Sequence, residues 1–109
     1  MASFFKNSVV KEIGVTPVKV LETALNARAT VIGFSLTNLT GGVILVTVEL
    51  QDDTSTRGYY CKDVLVPANT SLRLVNGGEK LILAERNELY VSCNAEAGLD
   101  VLISYVQIV

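Results

Sequence analysis

Short segments of alternating apolar and polar residues, separated by turn-forming residues roughly every ten positions, constrain this chain most strongly. In Val43–Leu50, for example, Ile44, Val46 and Val48 share one side of an extended chain, while Thr47 lies on the other. A period of two is typical of a β-strand with one buried side, and helical periodicity is almost absent. The sequence therefore predicts an all-β fold: a two-sheet antiparallel sandwich of about eight strands, jelly-roll or Greek-key like.

The predicted strands follow one another along most of the chain. They are Pro17–Ala24, Ala29–Thr37, Val43–Leu50, Tyr59–Val66, Leu72–Val75, Glu79–Glu85, Glu88–Asn94 and Leu99–Val109. In the second of these, we expect the inward face to consist of Thr30, Ile32, Phe34 and Leu36. Asn76–Gly78 contains an Asn-Gly pair, which favours a tight type I′ hairpin turn.

The first fourteen residues, Met1–Gly14, differ from the rest, with Phe4 and Phe5 side by side and only a weak strand pattern. We interpret them as an N-terminal arm or poorly ordered leader, followed by a β-sandwich domain over residues 15–109. Two adjacent phenyl rings on a loose arm would be a liability in a free monomer, so they are candidate anchors into a partner. The alternative is that both rings fold back onto the core of this domain.

The last predicted strand, Leu99–Val109, is apolar on both of its sides. Such a strand either lies centrally in its sheet or faces another subunit. The residues predicted to contact a partner are Phe4 and Phe5 of the arm together with Leu102, Val106 and Ile108 of this strand.

Charged residues make up 18% of the chain, below the ~25% typical of soluble domains, and the net charge is −2. A compact sandwich with a full core, or a surface covered by other subunits, would account for the shortage, and both can hold together. Without a basic stripe, direct binding to nucleic acid is not expected. No apolar run reaches the ~18 residues of a membrane helix, and no signal peptide is recognisable, so we expect folding in a reducing cytoplasm without a membrane partner.

Residues that carry chemistry are scarce. The chain has no histidine, which excludes Ser-His-Asp and Cys-His arrangements, so we expect no enzyme, no cofactor and no metal site. Asp52 and Asp53 lie in a polar loop that lacks the alternating oxygen ligands of a calcium site. Tyr59 and Tyr60, with Arg57, have the chemistry to stack on a sugar or a base, although such a pair more often places one ring in the core.

Two cysteines, Cys61 and Cys93, are predicted to be small buried hydrophobic residues, with a bridge between neighbouring strands as the alternative. Two glycosylation-like triplets begin at Asn38 and Asn69. Without a secretory signal, we interpret both asparagines as turn residues.

The second half of the chain carries a series of strand and turn segments at Pro67–Ser71, Lys80–Leu81, Asn87–Val91, Leu99–Val101 and Ser104–Tyr105 through Ile108. In these segments it resembles small virion structural proteins of tailed bacteriophages. With the upstream segment "VIGFSLTNLT", the resemblance extends over roughly Thr30–Val109. It rests on strands and turns, and no reactive residue is part of it.

The resemblance implies a β-sandwich protein located in the virion and made in the host cytoplasm. The leading expectation is a capsid decoration or cement protein, a homotrimer or homodimer that binds across boundaries between major capsid protein subunits and stabilises the shell. The alternative is a neck, tail or fibre-adaptor component. From a different class, a carbohydrate-binding module remains an alternative, because jelly rolls often bind sugars.

Overall fold

A computed structural model describes residues 2–75 and 80–109 of the chain, and these residues contain nine strands and no helix. The strands are β1 (Ser3–Ile13), β2 (Val18–Glu22), β3 (Arg28–Asn38), β4 (Ile44–Gln51), β5 (Arg57–Val66), β6 (Ser71–Val75), β7 (Leu81–Leu83), β8 (Glu88–Cys93) and β9 (Leu99–Ile108). Strands β2 to β9 correspond in order to the strands predicted from alternation.

The strands form two antiparallel sheets packed face to face. Sheet A has the order β1-β9-β3-β6, with β7 also paired to β3, and sheet B has the order β2-β8-β4-β5. Except at β4–β5 and β6–β7, each connection takes the chain from one sheet to the other. The predicted all-β two-sheet sandwich is confirmed, while its jelly-roll or Greek-key classification stays a prediction.

Five of the predicted turns each contain one non-glycine residue with a left-handed backbone. These residues are Asn26, Ser55, Asn69, Arg86 and Ala97, with φ between 51° and 66°. A residue with a left-handed backbone allows the chain to reverse within a short connection. The requirement for such residues accounts for the polar, turn-forming residues between the strands. The hairpin turn predicted at Asn76–Gly78 lies outside the described residues.

The core fills the space between the two sheets and is built from the inward side chains of alternating positions. Its largest members with almost no exposed surface are Phe34, Ile13, Leu36, Ile44, Leu83, Leu89, Leu99, Ile103, Val31, Val46, Val48 and Val66. The last strand, β9, lies centrally in sheet A, between β1 and β3, but its second apolar side faces outward, where Leu102 is 46% exposed.

A bulge in β3 changes the predicted inward face. In the pairing of β3 with β9 the register shifts between Val31 and Gly33, which leaves Ile32 without a partner on β9. An extra residue of this kind interrupts the strict alternation of sides. Val31 is therefore buried and Ile32 is 44% exposed, opposite to the prediction, whereas Phe34 and Leu36 are buried as expected.

The N-terminal segment is a strand in this structure. Residues Ser3 to Val10 pair continuously with β9, after which the register shifts before Ile13, next to the left-handed Glu12 (φ 56°). Neither Phe4 nor Phe5 belongs to the core cluster. The segment expected to be a loose arm is thus edge strand β1 of sheet A.

Both cysteines are free thiols, Cys93 buried and Cys61 half-buried. They lie on β8 and β5, on opposite sides of β4. Strands two positions apart in a sheet are separated by roughly 10 Å, beyond the ~7 Å limit between the Cα atoms of a disulfide. The alternative of a bridge between neighbouring strands therefore does not apply. Burial raises the pKa of the Cys61 thiol, which favours its protonated form.

Candidate partner interface

The outward side of sheet A carries rows of apolar side chains. Residues paired directly across antiparallel strands point to the same side of the sheet. Phe5 is paired with Val106 and Val9 with Leu102. Thr30 on β3 is in turn paired with both Val106 and Ile82, which brings β7 into the same surface. We define the apolar face as Phe5, Val9, Ile82, Leu102, Val106 and Ile108.

The apolar face is accessible to a partner. Phe5 is 83% exposed, Val9 68%, Ile82 63% and Leu102 46%. Exposed apolar side chains scattered singly are normal on protein surfaces, but these are adjacent across neighbouring strands. The two rows are separated by the polar pair Asn7–Ser104, and together they form a largely apolar patch of the kind that marks an interaction site.

Four of the five residues predicted to contact a partner lie on the apolar face: Phe5, Leu102, Val106 and Ile108. The fifth, Phe4, is paired with Gln107 and points to the other side of β1, where it is 48% exposed. The sequence analysis missed Val9 and Ile82. The signal for Val9 was present, since Phe5, Asn7 and Val9 follow strand spacing within the supposed arm.

The outward side of sheet B is different at its middle, where charged and polar side chains predominate, although Leu45 and the 56% exposed Leu65 are paired at one end. Lys19 Nζ lies 3.2 Å from Glu22 Oε2 and 3.6 Å from Glu88 Oε2. Tyr90 donates its hydroxyl hydrogen to Glu88 Oε1 at 2.5 Å, and Arg57 stacks over the Tyr90 ring at 3.8 Å from its centroid. Exposed ion pairs contribute little to folding, so the main consequence of this network is a hydrated surface.

The network shifts the titration of its members. The hydrogen bond from Tyr90 is the main reason that the pKa of Glu88 lies below its ordinary value of 4.5. The same bond raises the pKa of Tyr90, and the hydrogen bond to Glu22 raises that of Lys19. Each shift favours the form that this surface holds at neutral pH: an anionic Glu88, a neutral Tyr90 and a cationic Lys19.

In the loop between β4 and β5, the first acidic residue, Asp52, accepts hydrogen bonds from other residues of the same loop. Asp52 Oδ1 accepts hydrogen bonds from the Thr54 and Thr56 amides at 2.9 and 3.0 Å, and from the Thr54 hydroxyl at 2.6 Å. These bonds lower the pKa of Asp52, with the Thr54 hydroxyl as the largest cause. Asp52 therefore organises the polar loop in which the sequence placed it. In residues 2–75 and 80–109, no group of three or more acidic or cysteine side chains is arranged to hold a metal ion.

Both tyrosines of the pair are on the surface, in contrast to the prediction that one ring is buried. Tyr59 is 59% exposed and Tyr60 is 36% exposed, and together with Leu50, Asp52 and Thr56 they line a shallow groove. Arg57 does not join them, since its guanidinium stacks over Tyr90 instead.

The described part of the chain contains no helix that could span a membrane.

Comparison with known proteins yields a fold and no family. No protein-family model matches the chain, and no curated protein matches it in sequence. The chain is similar to a solved structure of the disulfide-linked pili formed by Bacillus endospore appendages, with a TM-score of 0.57 and 11% sequence identity. The aligned region covers 96% of this chain and 86% of the pilus chain. At that identity the similarity shows a shared fold.

A structure of infectious bursal disease virus, Gt strain, aligns with 98% of this chain and 38% of its own, at a TM-score of 0.26 and 10% identity. A score of this size carries no argument about function. The β-sandwich architecture shared with the pilus subunit is thus what the comparisons contribute.

Proposed function

We propose that this chain is a non-enzymatic structural protein of a bacteriophage virion, and that it decorates the capsid. In this role it binds across boundaries between major capsid protein subunits and stabilises the assembled shell. The observation that carries the proposal is the contrast between the apolar face of sheet A and the charged outward side of sheet B.

The contrast supports an assembly protein in the following way. A subunit that covers a shell needs one side to contact the shell and another to contact water. The apolar face offers exposed aromatic and aliphatic side chains, such as Phe5 and Leu102, which are favourable at the centre of an interface. The ion-paired side chains of sheet B remain hydrated, so they suit the side that faces solvent.

Two further observations agree with a structural role. The resemblance over Thr30–Val109 is to virion structural proteins and is carried by strands and turns. One solved structure with a similar fold belongs to a pilus, which is itself an assembly of subunits. The chain also lacks histidine, the most frequent general acid–base residue.

Stabilisation of the shell would arise by mass action. A protein that binds the assembled capsid and not its loose subunits shifts the equilibrium towards the capsid. Because many copies bind one particle, modest affinity at each contact is sufficient for a large total effect.

The decisive experiment compares purified particles with and without the protein. We expect hundreds of copies per particle by quantitative mass spectrometry, and particles lacking the protein to release their DNA at a lower temperature. About a dozen copies or fewer would instead support the alternative of a neck, tail or fibre-adaptor component. Unchanged heat stability at high copy number would contradict the cementing role.

A carbohydrate-binding module is the second candidate, and the groove beside Tyr59 and Tyr60 is the observation that favours it. Aromatic rings beside polar groups are a common way to bind sugars. A glycan array tests this candidate, with Tyr59→Ala as the matched variant. Binding to a glycan that this variant loses would support the module, and the absence of any hit would remove it.

A further inference from the structure

We propose that strand β1 is a pairing edge, and that it joins two copies of this chain in an antiparallel arrangement about a two-fold axis at Asn7. In the resulting dimer, the two sheets A become one continuous sheet through the pair of β1 strands. The inference builds on the proposed function, since it names a partner for an assembly protein, but it concerns the free protein and is tested without particles.

The hydrogen bonds of β1 with β9 reveal which backbone groups point to the free edge. Ala2 and Val109 exchange both of their N–H···O=C bonds, at 3.1 and 2.9 Å. In an antiparallel pair, hydrogen-bonded and non-hydrogen-bonded residues alternate. With the register continuous from Ser3 to Val10, the backbone groups of Ser3, Phe5, Asn7 and Val9 therefore point away from β9. β1 ends the strand order of sheet A, so no described strand receives these groups.

Features that protect other sheet edges from pairing are missing from this stretch of β1. From Ser3 to Val10 it has no register shift, no proline and a single lysine, Lys6. An edge of this kind is a ready template for another strand. Both edges of sheet B are interrupted instead. β2 has only five residues and shifts register against β8, and β5 shifts register twice against β4 and contains the left-handed Asp63.

The other edge of sheet A is also less suited to pairing. There β6, with five residues, and β7, with three, share the side of β3. Short edge strands offer few backbone groups in line. Among the described edges, β1 therefore presents the longest regular row.

The sequence of β1 is complementary to itself in one register. When Asn7 lies opposite Asn7 of the second copy, Phe5 lies opposite Val9 and Phe4 opposite Val10. Pairs of an aromatic and a β-branched residue are favourable across strands. Lys6 then lies opposite Ser8, which separates the two lysines.

Registers with the axis closer to the N-terminus are worse. A two-fold axis at Lys6 would place the two lysines directly opposite each other, which is destabilising. An axis at Phe5 would leave Val9 and Val10 beyond the paired region. The axis at Asn7 uses the outward groups of Phe5, Asn7 and Val9 in about six backbone hydrogen bonds.

Pairing in this register would also enlarge the apolar face. Phe5 and Val9 of both copies would meet at the centre of the joined sheet, flanked on each side by Leu102 and Val106 of β9. The exposed phenyl ring of Phe5, at the rim of a single molecule, would become central in the pair. The interface is isologous and closes at two copies, as two-fold symmetry requires.

The test places charged residues at position 7, which lies on the two-fold axis. At this position each side chain lies opposite the same side chain of the second copy. Sedimentation of the isolated wild-type protein is expected to show a dimer. Asn7→Lys and Asn7→Asp should each weaken the dimer by about tenfold or more, because like charges then lie face to face. An equimolar mixture of the two variants should restore it, because the charges are then opposite. Circular dichroism confirms that each variant is folded.

Ser35 provides the matched control, since it lies on the same side of sheet A but on β3, away from the edge. Ser35→Lys and Ser35→Asp should leave the dimer unchanged. As a second measurement, Asn7→Cys should form a disulfide-linked dimer under mild oxidation, while Ser35→Cys should not, because only residues at the axis approach their copy.

Three results would overturn the proposal: a wild-type protein that is monomeric at the highest soluble concentration, a dimer that persists equally in both Asn7 variants, or a mixture that fails to restore it. None of these outcomes would bear on copy number or heat stability in particles. Failure of β1 pairing and failure of capsid decoration are therefore distinguishable.

Discussion

Asn38 shows how a single buried polar side chain holds the turns at one end of the sandwich. It is 1% exposed, and its Nδ2 donates to the carbonyl oxygens of Gly42, Val66 and Pro67 at 2.8, 3.1 and 3.0 Å. Its Oδ1 accepts from the amide and hydroxyl of Thr40, both at 2.8 Å. The side chain thus joins the β3–β4 turn to the start of the β5–β6 loop.

We expect Asn38→Asp to lower the free energy of unfolding by about 3 kcal/mol or more, because it places a buried carboxylate against carbonyl oxygens and leaves them unsatisfied. Urea denaturation followed by circular dichroism measures the loss. Asn69→Asp is the matched control, since Asn69 is an exposed turn residue, and it should change stability by no more than about 0.5 kcal/mol. Equal stability of the two variants would contradict this account of Asn38.

The sequence predicted Asn38 as a turn residue, but Asn38 is the last residue of β3, and only its side chain reaches the turn that follows. Turns that contain Asn and Gly commonly use positive φ angles, but no residue from Asn38 to Gly42 has one. The side-chain hydrogen bonds perform that role instead. Two of the acceptors, Val66 and Pro67, come from another part of the chain, and such long-range contacts leave no local pattern.

At the level of strands, alternation was an accurate guide wherever one side of the strand is buried. β4 and β8 follow the period of two along their length, and their inward residues Val46, Val48, Leu89 and Val91 are fully buried. The bulge at Ile32 was not predictable, because it depends on how β9 pairs with β3. β1 was missed since its strand conformation depends on pairing with β9 and not on a buried side of its own.

The acid–hydroxyl pair on β8 predicts how stability changes with pH. The pKa of Glu88 is lowered in the folded state, mainly by the hydrogen bond from Tyr90, so the ionised form stabilises the fold. This contribution is complete above the ordinary value of 4.5 and is lost as the pH falls through the lower folded-state value. Acid unfolding should therefore include the protonation of Glu88.

We expect Glu88→Gln to reduce stability at neutral pH and to lose less stability than the wild type between about pH 6 and about pH 3. Urea midpoints across that range give the comparison. Glu85→Gln is the control, because Glu85 is exposed and has no ion pair among the described residues. A wild type and a Glu88→Gln variant with parallel pH profiles would refute the coupling.

The whole molecule has two unlike outward sides, and this property depends on topology. The sequence indicated that β9 is apolar on both sides, but placing Leu102 beside Val9 required the pairing of the two ends of the chain. Four of the five residues expected at an interface lie on the apolar face for this reason. Phe4 does not, because adjacent residues of a strand point to opposite sides.

Leu102→Glu tests the apolar face at the centre of sheet A. Since Leu102 is 46% exposed, the charge remains hydrated in the free protein, and we expect the free energy of unfolding to change by less than about 1 kcal/mol. Occupancy on capsids should nevertheless fall strongly, as measured by mass spectrometry of particles assembled with the variant. Ser92→Glu, at the middle of β8 in sheet B, should leave occupancy unchanged. Equal loss from both variants would mean that the apolar face is not the contacting side.

The unlike sides also give any layer of this protein a direction. When sheet A lies against a support, the ion pairs of sheet B face the solvent. The coated object then has a hydrated exterior, and its apolar contacts are buried beneath the layer. Particles coated in this way would resist aggregation and adsorption to plastic or oil. The free protein, in contrast, would accumulate at an air–water interface.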